Sequence, residues 1–252
     1  LMKGMEEGGW GPGLRPDVIS YNTLMSCCED AGAALALIRE MKMSRPYRKA
    51  IKPTSITYTN ALTVCRKSKD PDLKIALELM QMAEKDGIQI NMFMYSALIW
   101  CAQQCNNSKV ALDALYRMQD AGIRPNIAVY NGAIAACAEN LEHEGAAGLL
   151  REMQGRGVAP DDTTFREVAR SLRLMEPGGR ARRLEAVLSG LGRESRTLPV
   201  QALVASLVRA HGSQGRWREA LAALETVERP DRASFLAGLA ACARCSRWEE
   251  AV

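Results

Sequence analysis

Apolar positions along this chain fall in paired helical stripes, and the pairs recur in blocks of about 35 residues. The block 127–161 shows the pattern. Its first predicted helix covers 127–140, with Tyr130, Ile134 and Cys137 on one face at three- and four-residue spacing. A break follows at 141–143. The second predicted helix covers 144–154 and turns Leu149, Leu150 and Met153 toward the stack. Gly155-Arg156-Gly157 reads as a helix stop. Pro160 then opens the next block, where Asp161 or Asp162 can cap its first helix. No stretch alternates with the period of two that a half-buried strand requires, so the pattern predicts an all-α protein.

The register holds along the chain. Arg15-Pro16-Asp17 precedes Ser20-Tyr21-Asn22, and Lys52-Pro53-Thr54 precedes Thr57-Tyr58-Thr59. Ile90-Asn91 precedes Met94-Tyr95-Ser96, Arg124-Pro125-Asn126 precedes Val129-Tyr130-Asn131, and Ala159-Pro160-Asp161 precedes Thr164-Phe165-Arg166. The aromatic residues lie 37, 37, 35 and 35 positions apart. The second helices keep time too, through Ala76-Leu77, Ala111-Leu112 and Ala146-Ala147, and through Met82, Met118 and Met153. Arg216-Trp217-Arg218-Glu219-Ala220 returns 31 residues later as Arg247-Trp248-Glu249-Glu250-Ala251. A period of this length marks a solenoid of stacked supersecondary units. The expected units are 18–54, 55–91, 92–126, 127–161, a degenerate 162–200, a short 201–231 and a partial 232–252. Residues 1–17 read as the tail of a preceding unit, with Met5 in the helix-ending place, and both ends read as cuts through a longer array. Two irregularities stand out: a longer loop at Ser44-Arg45-Pro46-Tyr47-Arg48-Lys49, and Glu176-Pro177-Gly178-Gly179, which is expected to break the fifth unit.

Composition narrows the function. Of 252 residues, 47% are hydrophobic and only 5% aromatic, so aliphatic side chains and alanine must fill the core. A net charge of +4 admits a polyanionic partner without requiring one. Eight cysteines without framework spacing suit a reducing compartment better than a disulfide-stapled fold. No apolar run reaches the roughly 18 residues of a membrane span. The two histidines, His143 and His211, stand in no deaminase pattern, and neither clustered carboxylates nor a phosphate loop occurs. Cys242-x-x-Cys245 has no second ligand pair at zinc-site spacing. Cys27, Cys65, Cys101, Cys137 and Cys242 fall near the end of first helices, where a small residue permits close packing. No catalytic residue, metal site or cofactor is therefore expected.

The linker Gly122-Ile123-Arg124-Pro125-Asn126 and the openings Tyr21-Asn22 and Tyr130-Asn131 resemble those of the pentatricopeptide repeat family. The resemblance covers nearly the whole chain, strongly over 18–161 and more weakly beyond. Tetratricopeptide repeats, the nearest rival, lack this linker. The resemblance implies a right-handed α-solenoid that binds single-stranded RNA in an organelle, mitochondrion or plastid, one base per repeat. In that family the fifth residue of the first helix and the last residue of the unit select the base, and an apolar second residue sandwiches it. By position the selecting pairs are Asn22 with Thr54, Thr59 with Asn91, Ser96 with Asn126, and Asn131 with Asp161. They imply a pyrimidine, A, A and U, read 5′ to 3′. Short Ser or Thr leaves room for a purine, whereas Asn offers a donor and an acceptor to a pyrimidine edge. The sandwiching residues are Ile19, Ile56, Phe93 and Ala128, with Ala128 the weakest platform.

After Asp161 the pattern lapses. Arg166, Ala205 and Leu236 occupy fifth positions, so this half is expected to meet phosphates, protein, or neither. Arg180, Arg182 and Arg183 offer a phosphate path or an ordinary solvated helix face. The tyrosine ladder is read as core, its hydroxyls finding partners, rather than as a stacking surface. Three roles remain: RNA stabilisation, processing or translation by a non-catalytic binder; a scaffold subunit of an organellar ribonucleoprotein such as a ribosome; and a repeat segment of an enzyme whose catalytic domain lies elsewhere.

Overall fold

The computed structural model describes residues 16–43, 50–68, 71–173, 175–191, 200–227 and 230–244. Among these are thirteen α-helices and no strand. The chain divides into two compact units, Leu1–Pro125 and Asn126–Val252. The first contains α1 (Val18–Ser26), α2 (Ala31–Lys42), α3 (Ser55–Lys67), α4 (Leu73–Lys85), α5 (Met92–Gln104) and α6 (Ser108–Asp120). The second contains α7 (Ile127–Glu139), α8 (His143–Gly155), α9 (Asp162–Ser171), α10 (Pro177–Gly190), α11 (Gln201–Ser213), α12 (Trp217–Glu225) and α13 (Arg232–Arg244). Met5, the 44–49 loop, Cys245 and the 247–251 copy lie outside the described residues.

Within each unit the fold is a row of hairpins. In the first, α1 packs on α3 and α3 on α5, making a layer of first helices, while α2 packs on α4 behind them. In the second, α7, α9, α11 and α13 form the corresponding row. Tyr21, Tyr58, Tyr95, Tyr130 and Phe165 each stand at the fourth residue of a first helix and are buried. Ala34, Ala76, Ala111 and Ala146 stand at the fourth residue of α2, α4, α6 and α8, all fully buried. A bulkier residue there would hold the paired helices apart.

Caps set the helix boundaries. The side chains of Asp17, Thr54, Asn91, Asn126 and Asp161 each accept a hydrogen bond from the backbone N–H of the third residue of α1, α3, α5, α7 and α9. Each such cap is worth about 1 kcal/mol. Of the two candidates ahead of α9, Asp161 is the cap and Asp162 is the first helical residue. At the other end of the hairpin, Gly157 has φ +74°. The N–H of Val158 bonds back to the Met153 carbonyl, and that of Gly157 to Gln154. This αL termination is cheap only for glycine.

Three expectations are corrected. Glu176-Pro177-Gly178-Gly179 does not break the fifth unit, because Pro177 is the first residue of α10. Its fixed φ suits a helix start, and its missing N–H would be unbonded there anyway. Met82 is not the counterpart of Met118 and Met153. Ala83 occupies the eleventh position of α4 and is fully buried, whereas Met82 is only half-buried. Cys27 is exposed, since α1 stops at Ser26 and leaves it beyond the helix.

Candidate nucleic-acid interface

The last residue of a unit does two jobs, and geometry ties them together. Asn91 Oδ1 accepts the N–H of Met94 at 3.0 Å, which fixes which end of the amide is oxygen. Its Nδ2 must then point back toward α3, where Oγ1 of Thr59 and Oγ of Ser55 each lie at 3.3 Å. Thr59 accepts in this bond, so its own proton stays available to a ligand. The pair Asn131 and Asp161 is more tightly knit. Asn131 Nδ2 donates to Asp161 Oδ1 at 3.1 Å, and the Thr164 hydroxyl donates to Asn131 Oδ1 at 2.6 Å. Asp161 Oδ1 also receives the Thr164 N–H at 2.8 Å. Burial opposes the Asp161 charge, but the bonds from Thr164 and Asn131 outweigh it and hold the carboxyl below its usual pKa.

Two of the sequence-derived pairs are therefore in hydrogen-bond contact. Asn22 and Thr54 are not seen to bond to each other. Thr54 caps α3, while Asn22 Oδ1 is buried with no partner among the described residues. Ser96 is half-buried on α5 in the first unit, and Asn126 caps α7 in the second. The apolar second residues stand out in solvent beside these groups: Ile19 is 73% exposed, Ile56 64% and Phe93 66%. Such exposure costs apolar hydration unless something covers it. Ala128 is exposed too. Behind the surface, the tyrosines bond inward. Tyr58 donates to Asp86 of its own hairpin at 2.5 Å, and Tyr130 to Glu152 at 3.1 Å. Lys42 meets the same Asp86 at 2.6 Å.

The family model for the pentacotripeptide-repeat region of PRORP matches residues 15–208. The chain belongs to the pentatricopeptide repeat (PPR) family. Pentatricopeptide repeat-containing protein 1, mitochondrial, of Rattus norvegicus is 32% identical over 97 residues, covering 36% of this chain and 13% of that protein. The Homo sapiens protein of the same name is 31% identical over the same length and shares. This PPR chain thus matches only a small part of its curated relatives. Among solved structures, the PPR domain of Arabidopsis thaliana protein-only RNase P 1 in complex with tRNA superposes with a TM-score of 0.56 at 19% identity, over 68% of this chain and 84% of that one. PPR10 in complex with an 18-nt psaJ RNA element gives 0.57 at 16% identity, over 94% and 39%. These likenesses establish the helical-repeat fold.

Among the described residues, the later PPR helices carry no polar pair of the same kind. Arg166 is exposed and bonded to Asp162 one turn back on α9, and Ala205 is buried. Arg180 is occupied: its guanidinium donates to the Leu172 carbonyl at 3.0 Å and the Met175 carbonyl at 2.9 Å, closing the end of α9. Arg183 pairs with Glu144 at 2.6 Å, and Arg182 is exposed. Sequence reasoning missed both the capping role of Arg180 and the orienting role of Thr164. The latter had a signal, a threonine three residues after a cap. Burial pushes the thiols of Cys65 and Cys101 up to about 12 and that of Cys137 up to about 11, the behaviour of packing residues rather than nucleophiles. Among the described residues no group of His, Cys, Asp and Glu is arranged to hold a metal.

Proposed function

We propose that this chain binds single-stranded RNA along its row of first helices, selecting bases at paired positions, and that it does so in mitochondria. One observation carries the reading. Asn131 is held in a single orientation by Thr164 and Asp161, with free hydrogen-bonding capacity remaining on its amide. So fixed, the amide offers the same donor and acceptor to any base laid against it. The exposed Ile19, Ile56 and Phe93 supply apolar faces on which bases stack, at about 1–3 kcal/mol per base. The unpartnered Asn22 Oδ1 suits a donor on a pyrimidine edge, and leaving it unmet costs about 1–3 kcal/mol. The solved relatives named above include proteins in complex with tRNA and with an RNA element, and the curated relatives are named as mitochondrial.

The proposed core is pyrimidine-A-A-U, read by Asn22 with Thr54, Thr59 with Asn91, Ser96 with Asn126, and Asn131 with Asp161. Binding of short RNAs carrying this core against scrambled cores tests it at fixed salt. Asn131→Thr is expected to change preference at one base only. Equal affinity for all cores, or a uniform loss in the variant, removes the base-reading claim. A scaffold role within a ribonucleoprotein is the second reading. It draws on Phe235, Leu236 and Leu239 of α13, an exposed apolar patch where polar selectors would otherwise stand. Stable co-purification with ribosomal subunits at high salt favours that reading, and RNA binding by the isolated chain counts against it.

A further inference from the structure

Building on the RNA-binding reading, we propose that the second unit carries a phosphate groove centred on Arg173 and Arg209, which takes the phosphodiester backbone of single-stranded RNA whatever the base. A groove of about 540 Å³ runs between α9, α11 and the start of α13. This lies within the range of ligand-binding clefts. Its floor includes Ala202, Ala205 and Ser206, small enough for a sugar-phosphate chain to come close. Five arginines line it against only three carboxylates, Asp162, Glu167 and Asp231.

The arginines differ in how far they are spent. Arg180 closes α9, and Arg166 pairs with Asp162. Arg170 sits between Glu139 at 2.7 Å and Glu167 at 2.6 Å, yet its Nε is buried without an acceptor. Arg173 and Arg209 are exposed and have no acidic partner among the described residues. Two uncommitted guanidiniums over a small-residue floor suit a phosphate, whose oxygens match the planar fork of donors. A base finds nothing equivalent, because the fifth-position residue of α11 is the buried Ala205. The degenerate units thus exchange base selection for backbone attachment, and phosphate contacts position a strand without reading it.

The test compares the full chain with Arg173→Ala/Arg209→Ala, whose sites are exposed, and with Arg173→Lys/Arg209→Lys. Affinity is measured for matched and scrambled single-stranded RNAs across a salt series, with helical content checked by circular dichroism. The alanine variant is expected to lose about tenfold or more for every sequence alike, as removal of charge-assisted bonds entails. Its salt slope should fall by about 1.4, at about 0.7 per phosphate contact on a single strand. The lysine variant, which keeps point charges, should recover most of the slope. If the parent chain binds RNA and the alanine variant matches it in affinity and slope, the groove proposal is overturned while base reading stands. If the parent binds every sequence equally and the alanine variant still loses affinity, base reading falls and the groove remains. A parent chain that binds no RNA overturns both.

Discussion

At the scale of single residues, one carboxylate oxygen both caps α9 and orients the Asn131 amide. Oδ1 of Asp161 receives the Thr164 N–H and the Asn131 amide together, while the Thr164 hydroxyl donates to Asn131. Its folded pKa lies below the unfolded value, so this contribution to stability is present above the unfolded pKa and is lost as pH falls through the folded one. Asp161→Asn keeps a side-chain cap of nearly equal strength but has no charge to lose. Thermal melts between neutral pH and pH about 3 should therefore show a shallower acid fall for Asp161→Asn than for the parent, with similar midpoints at pH 7. Identical acid limbs would mean that Asp161 titrates without consequence. The sequence made Asp161 and Asn131 legible because both obey a fixed register. Thr164 escaped notice because its role depends on a hydroxyl reaching a residue 33 positions earlier.

At the scale of the helix, the ends decide more than the middles. α7 closes with Leu141 at φ +59°, the N–H of Glu142 bonding to the Cys137 carbonyl and that of Leu141 to Ala138. The equivalent place after α11 is held by Gly215 at φ +75°. A leucine in this conformation is strained by roughly 1–2 kcal/mol, and the residue is 42% exposed, so its burial offsets the strain only in part. Leu141→Gly should therefore stabilise the chain by about 1 kcal/mol, seen as a rise in the denaturant midpoint with unchanged slope. A fall in the midpoint would show that the leucine packs to more effect than its exposure suggests. Helix ends were also where reading the sequence went astray. Pro177 looked like a breaker because proline both starts and stops helices, and only the helix following it distinguishes the two. Met82 was drawn into the core series by its residue type, although its spacing from Met118 is 36 and not 35.

Across each unit, the helix contacts among the described residues run within hairpins and between neighbouring ones. The period that reveals this is legible because buried keystones such as Tyr58 and Ala76 admit few substitutes. The arginine groove was not legible, because Arg173 and Arg209 lie 36 residues apart and meet only through the stacking of α9 on α11. Ion pairs add little to the stack. Arg39 with Glu78, Arg117 with Glu84 and Arg170 with Glu139 join equivalent helices of successive hairpins, but such partly exposed pairs contribute about 0–1 kcal/mol each. Apolar burial between neighbours is thus the main cement, and cooperativity should be local. Leu79 on α4 is fully buried, and Leu79→Ala should cost about 2–5 kcal/mol. Because α4 packs on α2, α3 and α5, native-state hydrogen exchange should accelerate first in those four helices. Amides of α11 and α13 should keep their parental rates. Uniform acceleration along the chain would instead mean that the whole array opens as one cooperative body, and the nearest-neighbour account of its stability would fail.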